Sequence, residues 1–112
     1  MATGQQSRWG YLVMWEFEVK PGMEVRFGEV YGPSGDWARL FEQDENYLGT
    51  ELNRAQGPLR YITLDFWTSE EAYKNFREQR RVEYETMDRQ CDQLKAGERK
   101  LAVFVRVEAK NC

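Results

Sequence analysis

Apolar and polar residues alternate over Tyr11 to Lys20. Tyr11, Val13, Trp15, Phe17 and Val19 point one way; Leu12, Met14, Glu16, Glu18 and Lys20 point the other. A period of two predicts a β-strand. Its second face begins apolar and ends charged, so one end of that face is expected to be covered too. Pro21-Gly22 stops the strand. Met23, Phe27, Val30 and Tyr31 then recur at helical spacing, and Gly32-Pro33-Ser34-Gly35 breaks the short helix they predict. Asp36 is placed to cap a second short helix carrying Trp37, Leu40 and Phe41.

The spacing predicts a strand over Asn46 to Arg54, with Leu48, Thr50 and Leu52 on one face. Ala55 to Pro58 reads as a turn. Leu59 to Trp67 reads as a strand, with Tyr61, Thr63, Asp65 and Trp67 on one face and Ile62, Leu64 and Phe66 on the other. Thr68 and Glu71 have capping-box spacing. A long helix follows to about Leu94, with the stripe Tyr73, Phe76, Arg80, Tyr84, Met87, Cys91 and Leu94 at steps of three and four. Gly97 is expected to end the helical region. Glu98 to Glu108 contains the last strand, with Leu101, Val103, Val105 and Val107 on one face and Ala102, Phe104 and Arg106 on the other.

The order strand, helix, strand, strand, helix, strand predicts an α+β fold: a ferredoxin-like, four-stranded antiparallel sheet with its helices on one face. The domain is expected to span residues 11–108, between a flexible segment 1–10 and a tail 109–112. The other face of such a sheet is bare, yet several strands carry apolar residues there. Burying ~500 Å² of apolar surface contributes about 12 kcal/mol before association costs. A homodimer with two sheets facing each other is therefore expected.

Sixteen Lys and Arg against nineteen Asp and Glu give a formal charge of −3, which argues against a nucleic-acid partner. No apolar run approaches the ~18 residues of a membrane span. Met1 to Gly10 lacks the basic stretch and apolar core of a signal peptide, so a cytoplasmic location is expected. The 112 residues include no His, which removes the commonest general base and metal ligand. Cys91 falls on an apolar helix face and Cys112 is the last residue, so neither a disulfide framework nor a zinc site is expected. Aromatics make up 14% of the chain, with four Trp. That surplus suggests a ligand cavity or a large interface.

Three segments carry a resemblance. They are the strand Tyr11 to Lys20 running into Pro21-Gly22, the run Tyr47-Leu48-Gly49-Thr50-Glu51-Leu52, and Arg60-Tyr61-Ile62-Thr63-Leu64-Asp65-Phe66-Trp67 followed by Ser69-Glu70-Glu71-Ala72-Tyr73. In this order the chain resembles the antibiotic biosynthesis monooxygenase family, whose fold is a dimeric α+β barrel. That family includes cofactor-independent oxygenases of anthrone-like polyketides, quinol oxygenases and haem degraders. The haem degraders use an Asn on the first strand, a Trp at the end of the third and a His on the long helix. Only the Trp matches, as Trp67; Trp15 fills the first-strand position and no His exists.

The resemblance implies a cleft between helices and sheet, lined here by Trp15, Tyr31, Trp37, Asp65, Trp67, Arg80 and Tyr84. It implies no cofactor and no metal, an aromatic or polyketide-like small molecule as partner, and O₂ as co-substrate. The chemistry starts by deprotonating an activated phenol or anthrone. Trp67, Asp65 and Arg80 are the candidate catalytic residues, with Arg80 binding the anion and Asp65 or a Tyr moving the proton. Trp15, Tyr31, Trp37 and Tyr84 are the candidate substrate-binding walls. The alternative is a non-catalytic small-molecule-binding or scaffold homodimer of the same fold. A cleft filled by its own side chains favours that alternative; a vacant, polar-lined cavity of ~300 Å³ or more disfavours it. A flavin- or haem-associated role is a third reading, but no glycine-rich phosphate loop is present.

Overall fold

A computed structural model describes residues 8–107. The elements in chain order are β1 (Tyr11–Val19), α1 (Glu24–Tyr31), α2 (Asp36–Phe41), β2 (Tyr47–Arg54), β3 (Arg60–Trp67), α3 (Glu70–Gln79), α4 (Arg81–Cys91), a 3₁₀ turn (Asp92–Leu94) and β4 (Lys95–Val105). The strands form one sheet in the order β2-β3-β1-β4, and every neighbouring pair is antiparallel. This is the expected ferredoxin-like α+β fold. The expected flexible start lies mainly, and the expected tail wholly, outside the described residues. Gly10 itself is tied to the sheet: its N–H donates to the Trp67 carbonyl at 2.9 Å.

The helices cover the face that carries Tyr11, Val13, Phe17 and Val19 of β1. These residues share one buried cluster with Phe27, Val30, Trp37, Phe41, Trp67 and Phe76. The Trp67 ring is fully buried, with Tyr47, Tyr73, Phe41 and Phe76 at centroid distances of 5.2–5.6 Å.

The structure departs from the expected elements at four places. The long helix is two helices that meet at Arg80, whose φ of −111° and ψ of 28° leave the helical region. No residue between Phe76 and Tyr84 is buried, and Val82 is 73% exposed, so the chain can turn there without uncovering the core. The helix cap is Ser69, whose Oγ accepts from the Ala72 N–H at 3.1 Å. Thr68 instead donates its hydroxyl to Asn46, tying the end of β3 to the start of β2.

The other two departures are bulges, which change which side chains face the helices. In β2 the register shifts between Tyr47 and Gly49, so Tyr47 rather than Leu48 joins Thr50 and Leu52 on the helix face. Gly49 sits at φ +146°, a conformation that side chains disfavour, and so permits the bulge. In β4 the register shifts twice. Lys100 lies opposite Trp15, Glu98 opposite Phe17 and Lys95 opposite Val19. Partners across an antiparallel ladder share a face, so three charged residues point toward the helices. Gly97 therefore lies inside the strand rather than ending a helix.

On the other face, Leu12, Met14, Ile62, Leu64 and Ala102 are half-buried, and Phe104 is 45% exposed. Trp9 covers Phe66 edge-on at 5.9 Å. None of the helices is long and apolar enough to cross a membrane among the described residues.

Candidate functional site

Between helices and sheet lies a small, partly open cavity of about 30 Å³. Strand β1 contributes Trp15 and Phe17, and β2 and β3 contribute Thr50, Thr63 and Asp65. The helices contribute Tyr31, Trp37, Phe41, Tyr84 and Asp88, and β4 adds Glu98. The cavity thus gathers Trp15, Tyr31, Trp37, Asp65 and Tyr84 from the expected set. Its volume is that of about one water molecule, so the cleft is filled largely by its own side chains.

Asp65 is its most unusual member. It sits mid-sheet, 8% exposed, with β1 on one side and β2 on the other. Burial pushes its pKa up from 3.8 to about 6, against the opposing pull of a hydrogen bond from Thr50. That bond is 2.7 Å long, and Thr50 in turn lies 2.6 Å from the Tyr47 hydroxyl. An ionised carboxylate can only accept, so Thr50 spends its one proton on Asp65 and Tyr47 donates to Thr50. The β2 bulge is what places Tyr47 at the end of this chain. The neighbouring arginines do not pair with Asp65: Arg60 binds Glu16 at 3.3 Å.

Tyr31 and Trp37 supply the complementary feature. The Tyr31 hydroxyl and Trp37 Nε1 are buried without a hydrogen bond of full geometry, and they lie beside each other and the Cys91 thiol. Leaving such a group unsatisfied costs about 1–3 kcal/mol. Both residues line the cavity that Asp65 lines, while their polar atoms gather at Cys91, which is not among its walls. Burial is the main reason that the Tyr31 and Tyr84 hydroxyls are held well above the usual tyrosine range.

At one end of the cavity Lys95 is buried among acids. Its ammonium binds Asp88 at 3.3 Å and lies closer still to Glu98, with Asp92 at 3.8 Å. It also lies 5.8 Å from the ring centres of Phe17 and Tyr31. Burial lowers the Lys95 pKa, but the Glu98 and Asp88 carboxylates outweigh it and the net shift is upward. Lys95 thus stays charged and neutralises part of the acid that borders the cavity.

Two expected residues stand elsewhere. Trp67 is not on the cavity wall; it lies in the core among Phe41, Tyr47, Tyr73 and Phe76, with its Nε1 also unpartnered. Arg80 sits at the break between α3 and α4, where it pairs with Glu83 at 3.2 Å and its side chain is 38% exposed. The expectation that it faces the cleft assumed one continuous helix, and the break turns it away. Thr50, Thr63, Asp88, Lys95 and Glu98 belong to the site without having been singled out by the sequence. Thr63 shares the alternating face of Asp65, which was a usable signal; Glu98 reaches the site only through the slip at Leu101, and Lys95, in phase with Leu101 and Val103, pairs with it there.

A larger open depression of about 520 Å³ lies around Gly57-Pro58 and the ends of β1, β3 and β4. Its main polar groups are already committed, since Glu16 binds both Arg60 and Arg99. Haem does not fit the residues present: the chain offers no His, and Cys91, the buried thiol nearby, is held protonated chiefly by burial.

The model of the antibiotic biosynthesis monooxygenase family matches residues 10–83. No curated protein matches the chain in sequence. Among solved structures, the fold is similar to the ActVA-Orf6 monooxygenase of Streptomyces coelicolor, which was solved with nanaomycin D. That pair has a TM-score of 0.68 and 16% identity over 93% of both chains. It is also similar to SnoaB, a cofactor-independent oxygenase of Streptomyces nogalater, with a TM-score of 0.63 and 17% identity over 90% of this chain and 96% of that one. The haem degrader MhuD of Mycobacterium tuberculosis has a TM-score of 0.59 and 22% identity over 90% of this chain and 99% of its own.

Proposed function

The chain belongs to the antibiotic biosynthesis monooxygenase family, and on that footing we propose that it oxidises an activated aromatic small molecule with O₂ and no cofactor. The observation that carries this reading is the buried Asp65 carboxylate, with a pKa of about 6, on the wall of a cavity that Tyr31 and Trp37 also line. A base with that pKa is mostly ionised at neutral pH and can still accept a proton from a weak acid. Asp65 removes a proton from an anthrone or phenol. The carbanion gives one electron to O₂, and the resulting radical pair combines to a peroxide. For an anthrone, loss of water then leaves the quinone: the methylene loses two hydrogens, and O₂ supplies one oxygen to product and one to water. The proton held on Asp65 leaves with the departing hydroxide.

The aromatic walls Trp15, Trp37 and Tyr84 suit a flat substrate. A cavity of about 30 Å³ does not admit one until side chains move. That volume favours the second reading, a non-catalytic binding or scaffold homodimer. The buried Asp65 favours catalysis, because a purely structural core gains nothing from a carboxylate that no cation pairs. Oxygen uptake decides between them, with anthrones, quinols and phenols offered, metals chelated and no cofactor added. Uptake above the spontaneous rate that Asp65→Asn reduces at least a hundredfold supports the oxygenase. No uptake from folded protein across the panel returns the reading to a binding role.

The homodimer is part of the same proposal. Leu12, Met14, Leu64 and Phe104 offer an apolar sheet face that a second copy would cover. Light scattering at micromolar concentration tests it, and a monomer there refutes it.

A further inference from the structure

Six aromatic residues and three carboxylates, Asp65, Asp88 and Glu98, line the inner cavity, and no Lys or Arg is among the described residues of its wall. The acids differ in depth. Asp65 is 8% exposed, whereas the side chains of Glu98 and Asp88 are 29% and 46% exposed, so the open end of the cavity is acidic. The cation at that end is Lys95, which reaches in from behind the wall. It is outnumbered: Asp88, Asp92 and Glu98 all lie within 3.8 Å of its ammonium. Lys95 takes one oxygen of each wall acid, Oδ1 of Asp88 and Oε1 of Glu98, and their second oxygens accept no bond among the described residues. Deeper in, Thr50 binds Oδ1 of Asp65, and Oδ2 of that buried carboxylate likewise accepts no bond among the described residues.

Such a wall repels an anion and attracts a cation, because aromatic faces and carboxylates both present negative potential. Lys95 is the protein's own example. Its ammonium lies 5.8 Å from the ring centres of Phe17 and Tyr31 while it binds two wall acids. A phenolate formed beside Asp65 would meet the same repulsion, and a cation carried by the substrate itself offsets it. Asp65 Oδ2, when ionised, can only accept, so it calls for a donor on the ring that lies inside.

We propose that the cleft takes a phenol that carries an alkylammonium group, with the ring hydroxyl on Asp65 Oδ2 and the ammonium at the open end between Asp88 and Glu98. This rests on the oxygenase reading for the cavity and names its substrate class. It also sets a polarity: the charged tail stays at the partly exposed rim, and only the ring needs space that side chains must yield.

The test is calorimetric titration at neutral pH with tyramine, with tyrosol, in which a hydroxyl replaces the ammonium, and with 3-(4-hydroxyphenyl)propionate. Tyramine is expected to bind roughly tenfold more tightly than tyrosol, and the propionate more weakly than either. Raised salt should narrow the preference. Glu98→Gln and Asp88→Asn should each weaken tyramine severalfold and leave tyrosol within about twofold, which also shows that the variants are folded. Asp92→Asn removes an equal charge that lies near Lys95 but off the cavity wall, and should keep the preference. Equal binding of tyramine and tyrosol overturns the proposal, as does no binding of any of the three at millimolar concentration. Equal losses in Asp92→Asn and Glu98→Gln also overturn it, since the preference would then belong to the acidic surface at large. So does a loss of both ligands in both wall variants, because the acids would then serve the fold. The two readings fail separately. A cation preference without oxygen uptake keeps the ligand class and removes the oxygenase; uptake with neutral anthrones and no cation preference does the reverse.

Discussion

Asp65 makes the protein less stable at neutral pH than in mild acid, and the size of the effect follows from its burial. Its pKa is about 6 in the folded chain against 3.8 for the free group. Between those values the folded state holds a proton that the unfolded state has released, so stability falls as pH rises. A gap of about 2 pKa units corresponds to roughly 3 kcal/mol, fully present as a penalty above pH 6 and absent below about pH 4. Asp65→Asn keeps an oxygen to accept from Thr50 and removes the charge. The difference in stability, variant minus wild type, should therefore grow by roughly 3 kcal/mol from pH 4 to pH 8, or about 10–20 °C in Tm for a chain of this size. Urea titrations at one-unit pH intervals, at fixed protein concentration, measure it. Subtracting the variant cancels the other titrating groups. Parallel pH profiles for the two proteins would refute the buried-base argument, and with it the proposed role in proton abstraction. If the profiles diverge as expected, proton abstraction in the wild type should also rise with pH through about 6.

Four further outcomes follow from the same geometry. Thr50→Val removes the one hydrogen bond that holds the Asp65 charge, so the Asp65 pKa should rise further; carboxyl NMR titration reads the shift. Lys95→Met leaves Asp88 and Glu98 without their cation and should cost about 2 kcal/mol in urea denaturation, less than a fully buried pair because Asp88 is half exposed. Trp67→Phe should cost about 1–3 kcal/mol through lost packing while keeping oxygen uptake within a few-fold of wild type, because Trp67 is in the core behind the cavity. Leu64→Glu and Phe104→Glu should each convert a dimer to monomer by light scattering, since both place a charge on the apolar sheet face.

The elements were legible because most of the chain obeys one period at a time. The alternation of Tyr11 to Lys20 and of Arg60 to Trp67 placed β1, β3 and the face of Asp65 correctly, and with them most of the cavity wall. What the pattern could not show is where the period slips. A bulge adds one residue without changing composition, and one residue reverses every inward and outward assignment beyond it. In β2 a slip at Gly49 brings Tyr47 into the hydroxyl chain. In β4 a slip at Leu101 turns Lys100 and Glu98 inward, where plain alternation would have put Leu101 and Arg99, and a second slip at Ala96 restores the phase, so Lys95 faces inward either way. The helix break at Arg80 has the same character: the stripe from Phe76 to Tyr84 keeps helical spacing while the backbone turns away.

These slips lie where the chemistry is. Regular alternation delivers Asp65 and the threonines beside it; irregular backbone adds the Tyr47 hydroxyl and the charges of Lys100 and Glu98. A strand that kept its register would have turned Leu101 and Arg99 inward in place of Lys100 and Glu98. The β4 that exists instead buries an ammonium beside two carboxylates and leaves Trp15 covered by Lys100. Burying charge is a stability cost that good geometry only partly offsets. The same site holds a carboxylate whose pKa burial pushes up to about 6. Two independent departures from a stable core, an ammonium buried among acids and a buried carboxylate, meet at one cavity of a small domain and are the physical reason for assigning function to this cleft rather than to the larger depression around Glu16, where Glu16 already pairs with Arg60 and Arg99.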